Sequence, residues 1–168
     1  KDFFLEGTQQ VSASWITLEN LSFPYCISIN SSYIYEQSTD ERINQNDAAI
    51  TLAHELGHYL GLRHVFSEGG TTSMCTDTDY CKDTPSYNRS EYEQWLNNLD
   101  KQNKYQLKDL AKRYSCEKGE YEAHNIMDYA YCFYNEITLE QRKRIRHILN
   151  YSPLIPGPKE SRIDTRGV

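Results

Sequence analysis

His54-Glu55-Leu56-Gly57-His58-Tyr59-Leu60-Gly61-Leu62-Arg63-His64 reads H-E-x-x-H-x-x-G-x-x-H, three imidazoles and one carboxylate at spacings that suit a catalytic zinc ion. A helix advances about 100° per residue, so His54 and His58, four apart, share one face and can reach one metal. Glu55 points away from the ligand positions but stays close enough to a water activated there to take its proton. Gly61 allows backbone conformations closed to bulkier residues, so the chain can leave the helix and bring back His64 as a third ligand. Three protein ligands leave one position open, which separates a catalytic zinc site from the closed four-ligand kind. A bare H-E-x-x-H arises by chance on amphipathic helices; the longer pattern fixes five residues and is far more specific.

Outward from this stretch, Ala49, Ala53, Leu56 and Leu60 recur at a spacing near 3.6. They predict a helix with Asn46 as N-cap, its apolar stripe on a core and its histidine face on a cleft. Upstream, Tyr25-Cys26-Ile27-Ser28-Ile29-Asn30 alternates polarity with β-branched residues and reads as a strand, continued by Tyr33-Ile34-Tyr35. Residues 67 to 90, rich in Gly, Ser, Thr and Asp, read as a long loop of the kind that has a function or is tied down. Ser90 and Glu93 form a capping box ahead of Tyr92, Trp95, Leu96 and Leu99, and a second helix is predicted around Leu107, Leu110, Ala111 and Tyr114. Thr138 and Gln141 open another helix through Ile145, Ile148 and Leu149 that stops near Asn150, before Pro153; the tail beyond reads as extended chain. There is no internal repeat and no interdomain linker.

The chain has 168 residues, 25% of them charged, and a net charge of −6. No apolar run approaches the ~18 residues of a membrane span, so one soluble domain, 1–168, is predicted. The acidic balance gives no support for nucleic-acid binding, and Arg142-Lys143-Arg144 with Arg146 reads as a solvated helix face. Lys1 opens the chain with neither a charged leader nor an apolar segment after it, so any targeting segment is expected to have been removed or not included.

Cys26, Cys75, Cys81, Cys116 and Cys132 give an odd count. Cys75 and Cys81 are not a C-x-x-C pair and lie among polar loop residues, which favours disulfides in an oxidising compartment over a zinc ribbon; five reduced cysteines in a cytosolic protein is the alternative. Cys26, in its apolar run, is the expected unpaired thiol. Asp77, Asp79 and Asp83 with Thr84 offer hard oxygen ligands that suit calcium, against the simpler reading of a solvated loop with Asx turns.

With Asn125-Ile126-Met127-Asp128-Tyr129 some sixty residues downstream of His64, the chain resembles the metzincin metalloproteases, which combine the long zinc motif with a methionine-containing turn beneath the metal. Within that clan, His64-Val65-Phe66, the segment from Cys75 to Pro85, and Asn125 to Tyr129 look like the pappalysin family. The ending from Gln141 to Lys159 looks more narrowly like zinc-dependent metalloproteinase lipoproteins of the Bacteroidetes. The likeness covers residues 46 to 159 and is loose between 86 and 115, where the chain carries its own helical insertion.

The resemblance implies an α/β (α+β) catalytic domain: a twisted mixed sheet and active-site helix above a cleft, residues 1–64, and an irregular, helical C-terminal subdomain below, residues 65–168. Only 53 residues precede His54, fewer than a full upper sheet with its backing helix would use. By the same likeness Met127 is an apolar floor under the zinc, and Tyr129 the phenol that hydrogen-bonds the metal or the developing oxyanion. Calcium is implied in the 77–84 loop, and the family's interlocking pattern would pair Cys75 with Cys116 and Cys81 with Cys132, one of three connectivities open to four cysteines. Ala130-Tyr131-Cys132-Phe133-Tyr134 carries no acid, so the basic cleavage-site preference of some pappalysins does not transfer, and an apolar primed-side pocket is expected instead.

The expected activity is that of a zinc endopeptidase: His54, His58 and His64 hold Zn2+, Glu55 is the general base, and Tyr129 shares the oxyanion charge. Its substrate would be a protein or peptide held extended along a sheet edge, its working unit a monomer, and its location extracellular, periplasmic or on the cell surface. The alternative from another class is a non-catalytic surface binding module with a structural zinc, a site that would have no use for Glu55.

Overall fold

The computed structural model of the chain describes residues 26–29, 48–66, 79–115, 117–129, 131–152 and 154–158. Among them the elements run α1 (Ala48–Tyr59), α2 (Arg89–Asn97), α3 (Leu107–Leu110), β1 (Lys112–Ser115), β2 (Gly119–Glu122) and α4 (Leu139–Tyr151), a mixed α and β arrangement. The sheet formed by β1 and β2 is antiparallel and two-stranded. Of the predicted strand over 25–30 only residues 26–29 are described, in neither helix nor strand; Asn46 and Tyr33 to Tyr35 lie outside the described residues.

α1 forms where expected, but its orientation differs from the predicted one. Its buried residues are His54 and Gly57, while Ala49, Leu52 and Leu56 are exposed. The side that carries His54 and Gly57 lies on Ile126 and Met127, so the apolar stripe is not the face turned to the described core.

α2 starts from Asn88, whose side chain accepts from the Glu91 backbone N–H at 3.2 Å, and not from Ser90. Asn and Ser are comparable N-caps, and the choice is made by Tyr87 and Tyr92, both buried in the core. The helix predicted over Leu107 to Tyr114 is shortened to four residues. Ala111, fully buried, ends it, and Lys112-Arg113-Tyr114-Ser115 alternates exposed and buried as β1, pairing Arg113 with Tyr121 and Tyr114 with Glu120. Arg113 is the reason: its buried guanidinium meets Asp128, and a period of two delivers it there. α4 is capped as expected, with the Thr138 hydroxyl accepting from Gln141 N–H and Gln141 Oε1 accepting from Thr138 N–H.

The core comprises Leu62, Val65, Phe66, Tyr87, Tyr92 and Met127, with Leu96, Tyr121, Ile126 and Ile145 packed on it. α4 joins this block through Gln141, Arg144 and Ile148, one buried stripe at helical spacing. The pairing of Cys81 with Cys132 does not form. Both are free buried thiols, Cys81 directed at the Asp79 carbonyl and Cys132 at the Asn125 carbonyl. Cys75 and Cys116 lie outside the described residues, and Cys26 is a free, exposed thiol.

Candidate metal centre

Two backbone carbonyls orient the first two imidazoles. His54 Nδ1 donates to Ile126 O at 2.7 Å, and His58 Nδ1 to Leu62 O at 3.0 Å. With that nitrogen carrying the proton, each ring presents the lone pair of Nε2 inward. His64 is set by rings, stacked on Phe66 with centroids 4.6 Å apart and edge-on to Tyr129 at 4.4 Å.

The three Nε2 atoms converge, with separations of 3.1 Å (His54 to His64), 3.1 Å (His58 to His54) and 2.9 Å (His58 to His64). Tetrahedral ligands bonded at 2.0–2.1 Å would stand roughly 3.3 Å apart, so the donor set fits a zinc ion with little adjustment. Burial lowers the His54 pKa, against the opposing pull of its bond to Ile126, so the ring is neutral and fit to ligate at pH 7. Among the described residues these three are the group of histidine, cysteine or acidic side chains close enough together to hold a metal.

Two glycines make the convergence sterically feasible. A Cβ on Gly57 would stand 2.3 Å from the sulfur of Met127, which is fully buried beneath α1. Gly61 has φ +86°, and a Cβ there would meet Ile148 of α4 at 2.5 Å. The turn that carries His64 back is also clamped from below, because Arg144 donates to the Gly61 carbonyl at 2.6 Å.

The turn Asn125 to Tyr129 is fixed from both sides. Asn125 Oδ1 accepts from Met127 N–H at 3.0 Å, and the Asn125 and Gln141 amides donate to each other at 2.8 and 3.1 Å, joining the turn to the first residues of α4. On the other side, Asp128 is sealed against Arg113, 3.5 Å apart with side chains 1% and 0% exposed. Its Oδ1 accepts from the Tyr87 hydroxyl at 2.5 Å and from the Tyr129 N–H at 2.7 Å, and Arg113 donates to the Tyr129 carbonyl at 3.1 Å. Burial disfavours the Arg113 charge, but the Asp128 carboxylate and the Tyr87 and Tyr92 rings more than offset this, so the guanidinium is held charged.

The predicted residues His54, His58, His64, Met127 and Tyr129 therefore come together. Tyr129 lies with its ring centroid 5.3 Å from His54 and is 37% exposed. Glu55 is half-buried in the same turn of α1, and its charge acts on His54. Of the residues predicted to hold calcium, Asp79 accepts from Thr84 Oγ1 and Cys81 N–H at 2.7 and 2.9 Å, Asp83 accepts from Glu140 N–H of α4 at 2.9 Å, and Asp77 lies outside the described residues.

Sequence reasoning passed over four residues of the site. Phe66 backs His64; Arg113 and Asp128 hold the turn; and the Arg89 guanidinium lies over the rings of Tyr129 and Phe66 at 4.6 and 5.1 Å. Asp128 carried a signal, an acid set directly between Met127 and Tyr129. The arginines carried none, since Arg113 sat in a segment read as helix and Arg89 in one read as loop, and in either a cation reads as a solvated one.

The family model described as Pregnancy-associated plasma protein-A, peptidase family M43, matches residues 16–150. Among curated proteins the chain is similar to "Extracellular metalloprotease" of Arthroderma benhamiae and of Trichophyton verrucosum, each 37% identical over 108 residues, 62% of this chain and 32% of the relative. A third, from Arthroderma otae, is 37% identical over the same length. The chain thus spans about a third of the length of the curated relatives it matches. No solved structure matches it.

Proposed function

The chain belongs to peptidase family M43, Pregnancy-associated plasma protein-A, and on that premise we propose that it is the catalytic part of a zinc-dependent endopeptidase acting on proteins or peptides. The observation that carries this reading is the triangle of Nε2 atoms, 2.9 to 3.1 Å on a side, with two of its rings oriented by backbone carbonyls. His54, His58 and His64 would hold the metal. Zinc in such a site lowers the pKa of water toward neutrality and polarises a carbonyl.

The chain's own side chains do the rest. Glu55 takes a proton from the attacking water and passes it to the nitrogen of the leaving amine. Tyr129 presents a phenol donor toward the oxygen that gains charge, and Met127 closes the floor without a polar atom that would compete for the metal. The upper wall of the cleft would come from the part of the chain ending at His64, of which residues 26–29 and 48–64 are described, and the floor from the part after it, in a monomer. The names of the fungal relatives support an extracellular place of action; among the described residues no helix is long and apolar enough to cross a membrane. Attachment as a bacterial lipoprotein, a Cys75–Cys116 disulfide and a calcium ion at Asp77, Asp79, Asp83 and Thr84 rest on the sequence resemblance and on residue chemistry.

The test is Glu55→Ala. The variant should bind one zinc per chain, measured by metal analysis, and cleave casein at least about a thousandfold more slowly than the parent chain. Cleavage at the parent rate would remove Glu55 from its role.

A further inference from the structure

Away from the metal centre, a cavity of about 260 Å³ lies between α2 and the outer face of the β1–β2 hairpin. That is less than the ~300–1,000 Å³ of sites for drug-sized ligands and suits one long side chain. Its floor is rigid, because both tyrosines there are pinned by their hydroxyls, Tyr87 to Asp128 and Tyr92 to the Leu110 carbonyl at 2.6 Å. Its rim is Trp95 and Tyr114, rings 41% and 70% exposed.

Charge selects among ligands. Lys112 and Glu120 pair with each other across the mouth at 3.5 Å and cancel. Glu91, also at the mouth, has no cationic partner among the described residues; its carboxylate accepts from the neutral Asn88 amide at 3.3 Å. The cavity therefore combines exposed aromatic faces with one uncompensated negative charge. A cation would not settle over the floor, since the Arg113 guanidinium already lies over the Tyr92 ring at 3.7 Å and would repel it. Its place is at Glu91.

We propose that this cavity binds a lysine or arginine side chain of the protein substrate, with the aliphatic stem along Trp95 and Tyr114 and the cationic head on Glu91. The anchor would act at a distance from the scissile bond, and it shares one rigid block with the metal centre: the Tyr87 hydroxyl and the Tyr129 N–H meet on the same oxygen of Asp128. The substrate as the source of that side chain rests on the peptidase reading; the binding chemistry does not.

Two measurements on the full chain test it. In NMR titrations, N-acetyl-arginine amide or N-acetyl-lysine amide should shift the Trp95 indole and N-acetyl-norleucine amide should not, with and without zinc. Glu91→Gln should weaken that binding about tenfold, and Trp95→Ala should weaken it comparably. In cleavage assays Glu91→Gln should raise KM about tenfold for peptides with a remote basic residue, leaving kcat, the cut site and neutral peptides unchanged. Norleucine amide binding as well as the basic amides, or a neutral effect of Glu91→Gln in both assays, would overturn the proposal. A chain that binds arginine amide yet cleaves no peptide would sink the peptidase reading and leave the cavity's assignment standing.

Discussion

Two polar clusters meet at Met127-Asp128-Tyr129 and are built on opposite terms. Above, His54, His58 and His64 turn three Nε2 lone pairs toward one another, and two of the three rings are only half-buried. Below, Asp128 and Arg113 are out of solvent, with the carboxylate shared between Tyr87, the Tyr129 N–H and the guanidinium. A cluster meant to receive an ion leaves its lone pairs unshared and reachable. A cluster meant to hold backbone must meet its buried charge with an opposite one, because an unmet buried charge destabilises more than a met one stabilises.

The contrast yields four further predictions. Chelation empties the upper cluster, so casein cleavage should fall by at least about a thousandfold and return with one equivalent of zinc, the lower cluster keeping the fold ready. Arg113→Met breaks the lower cluster and should cost about 3–5 kcal/mol in urea unfolding. Adding Asp128→Asn, which keeps an acceptor for Tyr87 and the Tyr129 N–H, should recover more than half of that loss; no recovery would mean that Arg113 acts through packing alone.

Gly57→Ala strikes the contact between the clusters, driving a methyl into the sulfur of Met127. A loss of about 1–3 kcal/mol is expected, with zinc affinity reduced as α1 is pushed from Ile126. The smallest effect is chemical. Burial pushes the Cys81 and Cys132 thiols up to about 12, and the thiolate, the reactive form, falls about tenfold per pH unit below that. In the native chain at pH 8 neither should react with iodoacetamide, whereas exposed Cys26 should; peptide mass spectrometry after labelling reads all three.

How much of this was legible follows the same divide. The upper cluster was readable because its ligands lie within eleven residues, and helix geometry with one glycine fixes their relation. Met127 and Tyr129 became readable through a recurring motif. The lower cluster was not, since Arg113 and Asp128 are fifteen residues apart with a hairpin between them, and Arg113 sat in a segment read as helix. That segment, Leu107 to Tyr114, misled because its apolar spacing fits either period at such a length, and the buried charge that decides for a strand is a tertiary contact. The Cys81 to Cys132 pairing failed for a similar reason: each thiol is directed at a different carbonyl.

Taken alone, the amino-acid sequence determined the zinc-ligand triad, the Gly61 reversal, the methionine turn and the capped start of α4. All are patterns whose physics is complete within a few residues. Only the tertiary structure decided which face of α1 is buried, that Arg113 enters the core as part of a strand, and that α2 and the hairpin line an aromatic cavity away from the metal centre. Those outcomes depend on which distant charge or ring fills a given space, and local spacing does not record that.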